Sequence, residues 1–119
     1  MVYNKISGYL NYVHKYFWRI EMEIRKAQNG SELTIKVEGR LDTMTAPALE
    51  TELRRSLNGI TDLTLDFTNL EYISSAGLRV LLSAQKVMNR QGNMKLIHVC
   101  EPVMEVFEVT GFSDILTIE

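Results

Sequence analysis

Two neighbouring hydroxyls, Ser74 and Ser75, follow Tyr72-Ile73 and precede Ala76-Gly77-Leu78. An apolar run that turns into a helix at this point leaves the first backbone N–H groups without partners, so one serine is expected as the N-cap, contributing about 1 kcal/mol. Glycine in a first helical turn lowers helix propensity unless something must approach closely, which marks Gly77. The other reactive side chains are sparse. His14 lies in an aromatic-rich leader, and His98 falls near the end of an expected strand, where a satisfied structural histidine is the plain reading. Cys100, the single cysteine, has no sequence neighbours that would stabilise a thiolate and reads as structural.

Enzymatic signatures are absent. Neither G-x-G-x-x-G nor G-x-x-x-x-G-K-[ST] occurs, and no serine lies in a G-x-S-x-G elbow, so nucleotide and serine hydrolysis lose their main support. One cysteine and two histidines do not make an ordinary zinc site. The expectation is a binding protein with no cofactor and no metal.

Thirteen Lys and Arg against fifteen Asp and Glu give a net charge of −2 without runs of like charge, which disfavours direct binding to nucleic acid. Polar residues interrupt every apolar run well short of a membrane span, so no transmembrane segment is expected. A lone cysteine suits a reducing compartment, and the expected location is cytoplasmic.

At 119 residues, 45% hydrophobic and 24% charged, the chain has the size and composition of one globular domain. Alternation over 23–27 and 33–38 around Asn29-Gly30-Ser31 predicts a β-hairpin. Thr43 or Thr45 can cap a helix with Pro47 in its first turn, burying Ala46, Leu49, Leu53 and Leu57 and turning Glu50, Glu52, Arg54 and Arg55 to water. Leu63, Leu65 and Phe67 predict a strand, followed by a connection through Asn69 to the serine pair. A longer helix then runs to Gly92, with a strand over 94–99, a short helix from Glu101-Pro102 to Gly111 and a last strand over 115–118. The order β-β-α-β-α-β-α-β predicts an α/β fold with a mixed, mostly parallel sheet and helices mainly on one face.

Residues 1–21 differ from the rest, holding six of the ten aromatics. Ile6, Leu10, Val13, Phe17 and Ile20 form the stripe of an amphipathic helix, which sets a boundary between a 1–21 extension and a 22–119 domain. Three readings stand: an upstream in-frame extension, a helix packed on the domain or a partner, or a membrane-surface helix. A stripe left exposed is an association site, which brings in a homodimer through this helix.

The stretch Asp66-Phe67-Thr68-Asn69-Leu70-Glu71-Tyr72-Ile73-Ser74-Ser75-Ala76-Gly77-Leu78 resembles the motif of the anti-sigma factor antagonists, bacterial members of the STAS domain family. Gly39-Arg40-Leu41-Asp42 and Thr110-Gly111-Phe112 match the same family in register, and the resemblance covers 22–119. It implies a STAS-like fold and reversible protein binding. The unphosphorylated form would bind an anti-sigma factor with serine kinase activity and release a sigma factor. Phosphorylation would switch it off, and a phosphatase would restore it. Ser75 aligns with the family's phosphoacceptor, and Ser74, the alternate, stands where the family usually has Asp. Asp42, Ser74, Ser75, Ala76, Gly77 and Leu78 are the implied partner-binding residues. The alternative is a STAS adaptor subunit of a transport or signalling assembly that binds without phosphorylation.

Overall fold

The computed structural model describes the backbone of residues 4–6 and the whole of residues 22–119. Strand β1 (Asn4–Ile6) pairs antiparallel with β2 (Met22–Asn29), which pairs antiparallel with β3 (Glu32–Leu41). The hairpin closes at Asn29 opposite Glu32, where turn chemistry was expected.

β3 is long enough to take two partners on its other side. Its first half pairs in parallel with β4 (Asp62–Asp66), and its last residues pair in parallel with β5 (Leu70–Ile73). The register shifts between Gly39 and Arg40, and Gly39 carries φ 98°, a left-handed conformation that favours glycine. β5 replaces the connection expected between Asn69 and the serines. β6 (Asn93–Ile97) adds in parallel to β4, giving the path β1-β2-β3-β4-β6 with β5 beside β3.

Helix α1 (Ala46–Ser56) joins β3 to β4, α2 (Ser75–Gln91) joins β5 to β6, and α3 (Glu101–Thr110) follows β6. Ile24, Leu33, Ile35, Val37, Leu63, Leu65, Met94 and Leu96 form one sheet face at 3% exposure or less, sharing a core with Leu49, Leu53, Leu81, Met88, Val103 and Phe107 from the helices. The alternate positions Thr34, Lys36, Thr64 and Lys95 remain accessible on the opposite face. This is the mixed α/β sheet with helices on one side that the element order implies.

Four expectations change. The last strand shrinks to a single parallel bridge between Leu96 and Ile118, because a 3-10 turn at Phe112–Asp114 uses up the chain just before it. The strand expected over 94–99 ends at Ile97, and His98 leaves it with φ 60°. Glu52, expected in water, is 4% exposed: its Oε1 lies 3.0 Å from Lys26 Nζ and accepts from Ser56 Oγ at 2.9 Å, tying α1 to β2. Ile6, assigned to the leader stripe, lies in β1; the rest of the expected helix falls outside the described residues.

Candidate partner-binding site at the head of α2

Parallel pairing brings the ends of β3 and β5 side by side, with Leu41 opposite Ile73 and Arg40 opposite Tyr72. Ser74 continues that register: its N–H donates to the Leu41 carbonyl at 2.9 Å. In extended conformation (φ −103°, ψ 176°), it is the N-cap of α2. Its Oγ accepts from the Gly77 N–H at 3.4 Å and its carbonyl accepts from the Leu78 N–H at 2.9 Å. Both ends of Ser74 are thus tied into the turn. Ser75 is the first helical residue and is exposed, and its hydroxyl has no hydrogen-bond partner among the described residues.

Gly77 explains how the turn fits so tightly. A Cβ there would sit 2.8 Å from both the Ile73 side chain and Leu41 Cγ, and 3.0 Å from the Leu41 carbonyl, so only glycine lets the helix start this near the strand ends. Gly77 and Leu78 are buried and Ala76 is partly buried. Of the implied contact residues, Ser75 is the exposed one, with Gly77 and Leu78 buried behind it.

Asp42 lies at the end of β3, across from Ser74. Its Oδ1 accepts from the Met44 N–H at 3.0 Å, the Thr45 N–H at 3.2 Å and the Thr45 hydroxyl, also at 3.2 Å. Its carbonyl accepts from the Ala46 N–H at 2.8 Å. Thr45, at the N-cap position of α1, turns its hydroxyl backward, accepting from the Asp42 N–H at 2.9 Å and lying 2.7 Å from the Arg40 carbonyl. Thr45 thus holds the N-cap position expected of it but gives α1 no side-chain cap bond, and Asp42 fixes the turn that precedes the helix. This tight turn leaves Met44 63% exposed.

Arg40 stacks over the Tyr72 ring at 4.2 Å and reaches Asp42 Oδ2 at 3.8 Å. Thr43 and Pro47 on one side and Ala76 and Arg79 on the other line a shared open groove of about 410 Å³. Sequence reasoning missed Arg40, Met44 and Arg79. The Asp42-x-x-Thr45 spacing was the available signal for an Asx-type turn that pushes the intervening residue outward.

The other candidates stand apart. His98 is exposed, with Nδ1 3.0 Å from Thr68 Oγ1 and 3.7 Å from Asp66 Oδ1. Its partners lie at the end of β4 and just past it. The Cys100 thiol donates to the Leu70 carbonyl at 3.3 Å. Among the described residues, no group of three His, Cys, Asp or Glu could hold a metal ion, and no helix is long and apolar enough to cross a membrane.

Residues 24–117 match the family model described as "Mlab, STAS domain". The chain belongs to the STAS domain family. It is 34% identical over 103 residues to the anti-sigma-B factor antagonist of Listeria monocytogenes, covering 84% of this chain and 89% of that protein. It is 39% identical over 84 residues to a putative anti-sigma factor antagonist, BtrV, of Bordetella bronchiseptica, covering 69% of this chain and 72% of that one. Among solved structures, an anti-sigma factor antagonist from Mycobacterium paratuberculosis matches with TM-score 0.74 at 19% identity, covering 82% of this chain and 84% of that one. Unphosphorylated SpoIIAA matches with TM-score 0.65 at 15% identity, covering 81% and 86%. At those identities the two structures speak for the fold alone.

Proposed function

We propose that this chain is an anti-sigma factor antagonist switched by phosphorylation of Ser75. The family, the names of its sequence relatives and the resemblance of its motif support that reading. The observation that carries the assignment to Ser75 is the division of labour between the serines. Ser74 is committed to capping α2, whereas Ser75 offers an exposed hydroxyl on a backbone held by the Ser74–Leu41 hydrogen bond.

The unphosphorylated protein binds an anti-sigma factor that carries serine kinase activity and so releases a sigma factor in the cytoplasm. In the kinase reaction Ser75 Oγ attacks the γ-phosphorus of ATP. A new P–O bond forms as the bond to the β-phosphate oxygen breaks, the hydroxyl proton passes to a kinase base and ADP leaves. A phosphatase reverses the change by hydrolysis. The new group adds a charge of about −1.5 to −2 to a contact surface, and its desolvation and repulsion cost enough to reduce affinity a hundredfold or more.

The second reading, an adaptor in a transport or signalling assembly, draws on the family description naming Mlab and on Ser74 standing where the antagonists usually have Asp. Incubation with ATP and the cognate anti-sigma kinase, followed by intact-mass and fragment analysis, separates the two. One phosphoryl group on Ser75 is the expected result. An unmodified protein that co-purifies with a transporter ATPase instead would establish the adaptor.

A further inference from the structure

Any enzyme that phosphorylates Ser75 must bring its nucleotide to within bonding distance of an Oγ on the first turn of α2. Its surface therefore covers whatever stands beside that turn. The 42–45 turn stands beside it: Leu41, which leads into that turn, accepts the Ser74 N–H at 2.9 Å, and Thr43 lines an open groove together with Ala76 and Arg79. Here the protein holds a large apolar side chain, Met44, 63% exposed. The pose is built. Asp42 Oδ1 accepts the Met44 N–H at 3.0 Å and the Thr45 N–H at 3.2 Å, and Thr45 is 1% exposed, anchoring the turn from below. Across the turn, Tyr72 is 40% exposed under the Arg40 guanidinium.

We propose that Met44 is the apolar anchor buried by the Ser75-directed anti-sigma kinase, and that Asp42 is a positioning residue that presents it. This rests on the proposed function above. It alters the role implied for Asp42. With one carboxylate oxygen spent on the Met44 and Thr45 N–H groups of its own turn, Asp42 acts on the partner through Met44. Methionine suits such a place because its unbranched, polarizable side chain adapts to a partner's pocket, and interface energy concentrates in a few central apolar side chains. An anchor of this kind contributes equally to the ground and transition states of phosphoryl transfer, so it sets KM and leaves kcat alone.

The test measures calorimetric Kd for the cognate anti-sigma kinase, and KM and kcat for Ser75 phosphorylation, with the full chain and three variants. Met44→Gln keeps length but loses apolarity; it should raise Kd and KM at least tenfold, hold kcat within about twofold and leave the melting temperature unchanged. Met44→Leu should restore binding to within about threefold. Asp42→Asn, which keeps one acceptor oxygen but weakens the turn, should fall between them. If wild type binds and Met44→Gln binds equally well, the anchor is refuted while the phosphorylation switch stands. If wild type binds but is never phosphorylated, the switch fails, and the Kd series still decides the anchor. If wild type does not bind the kinase at all, both are refuted.

Discussion

Ser74 and Ser75 differ by one position and by their entire environment, which makes single-residue substitutions informative. Ser75→Ala should abolish labelling by the kinase while keeping its binding, whereas Ser74→Ala should remain a substrate; peptide mapping of the labelled proteins checks both, and labelling that persists in Ser75→Ala but disappears in Ser74→Ala reverses the assignment. Their stabilities should also part. Ser74 accepts the Gly77 N–H, so Ser74→Ala should lose about 1 kcal/mol in denaturant titration, while Ser75→Ala should lose little, because its hydroxyl has no partner among the described residues. Gly77→Ala is a different kind of change. Its Cβ would meet Leu41 and Ile73 at 2.8 Å, and the strain of forcing α2 from the strand ends should cost about 1–3 kcal/mol, seen as a lower denaturation midpoint with an unchanged slope. These roles were only partly readable. A serine at a helix start announces a cap, but two in succession do not announce which one; the Ser74 N–H donated to Leu41 decides it, and that needs β5 aligned beside β3.

Strands and helices were legible where a pattern repeats for several residues. The alternation of Leu33, Ile35 and Val37 and the stripe of Leu49 and Leu53 both end in the core. β5 was not legible because it has four residues, starts soon after β4 ends and pairs with the far end of β3 only after the register shift at Gly39. The last strand was over-read for the opposite reason: Ile115 and Ile118 suggest a strand, but Ile115 is 49% exposed and the pairing is confined to Leu96. Glu52 shows a third limit, since a helix pattern assigns every charge to water unless a partner element supplies the counter-ion. The partner here is Lys26, and this pair also yields a test. Glu52→Ala removes the acceptor of both Lys26 and Ser56, and with Glu52 at 4% exposure the loss should be about 1–3 kcal/mol by thermal or urea unfolding. Glu50→Ala, whose partner Arg54 is 77% exposed, should change stability by less than about 0.5 kcal/mol.

At the scale of the whole molecule, the described core is drawn from residues beyond the leader, from Met22 through Leu116. A chain beginning at Met22 should therefore fold and retain its Ser75 chemistry. The leader still reaches the domain through β1, which pairs along β2 from Ile24 to Lys26. Its removal opens that edge to another strand, so the shortened chain should associate more readily than the full one, as read by sedimentation at several concentrations. An insoluble or unfolded product would place the leader within the core instead.

Phosphorylation belongs to this scale too, because a switch can act by melting a fold or by altering a surface. A phosphate on Ser75 meets the unpaired N–H groups and dipole at the start of α2, which favour it by about 0.3–2 kcal/mol, so the domain should stay folded and the effect should fall on the interface. The most direct test is calorimetric titration of the cognate anti-sigma kinase with unmodified protein and with protein phosphorylated on Ser75, each with its melting curve. The account predicts a loss of affinity of a hundredfold or more with melting temperatures within a few degrees. Equal affinities, or an affinity lost because the phosphorylated domain unfolds, would contradict it.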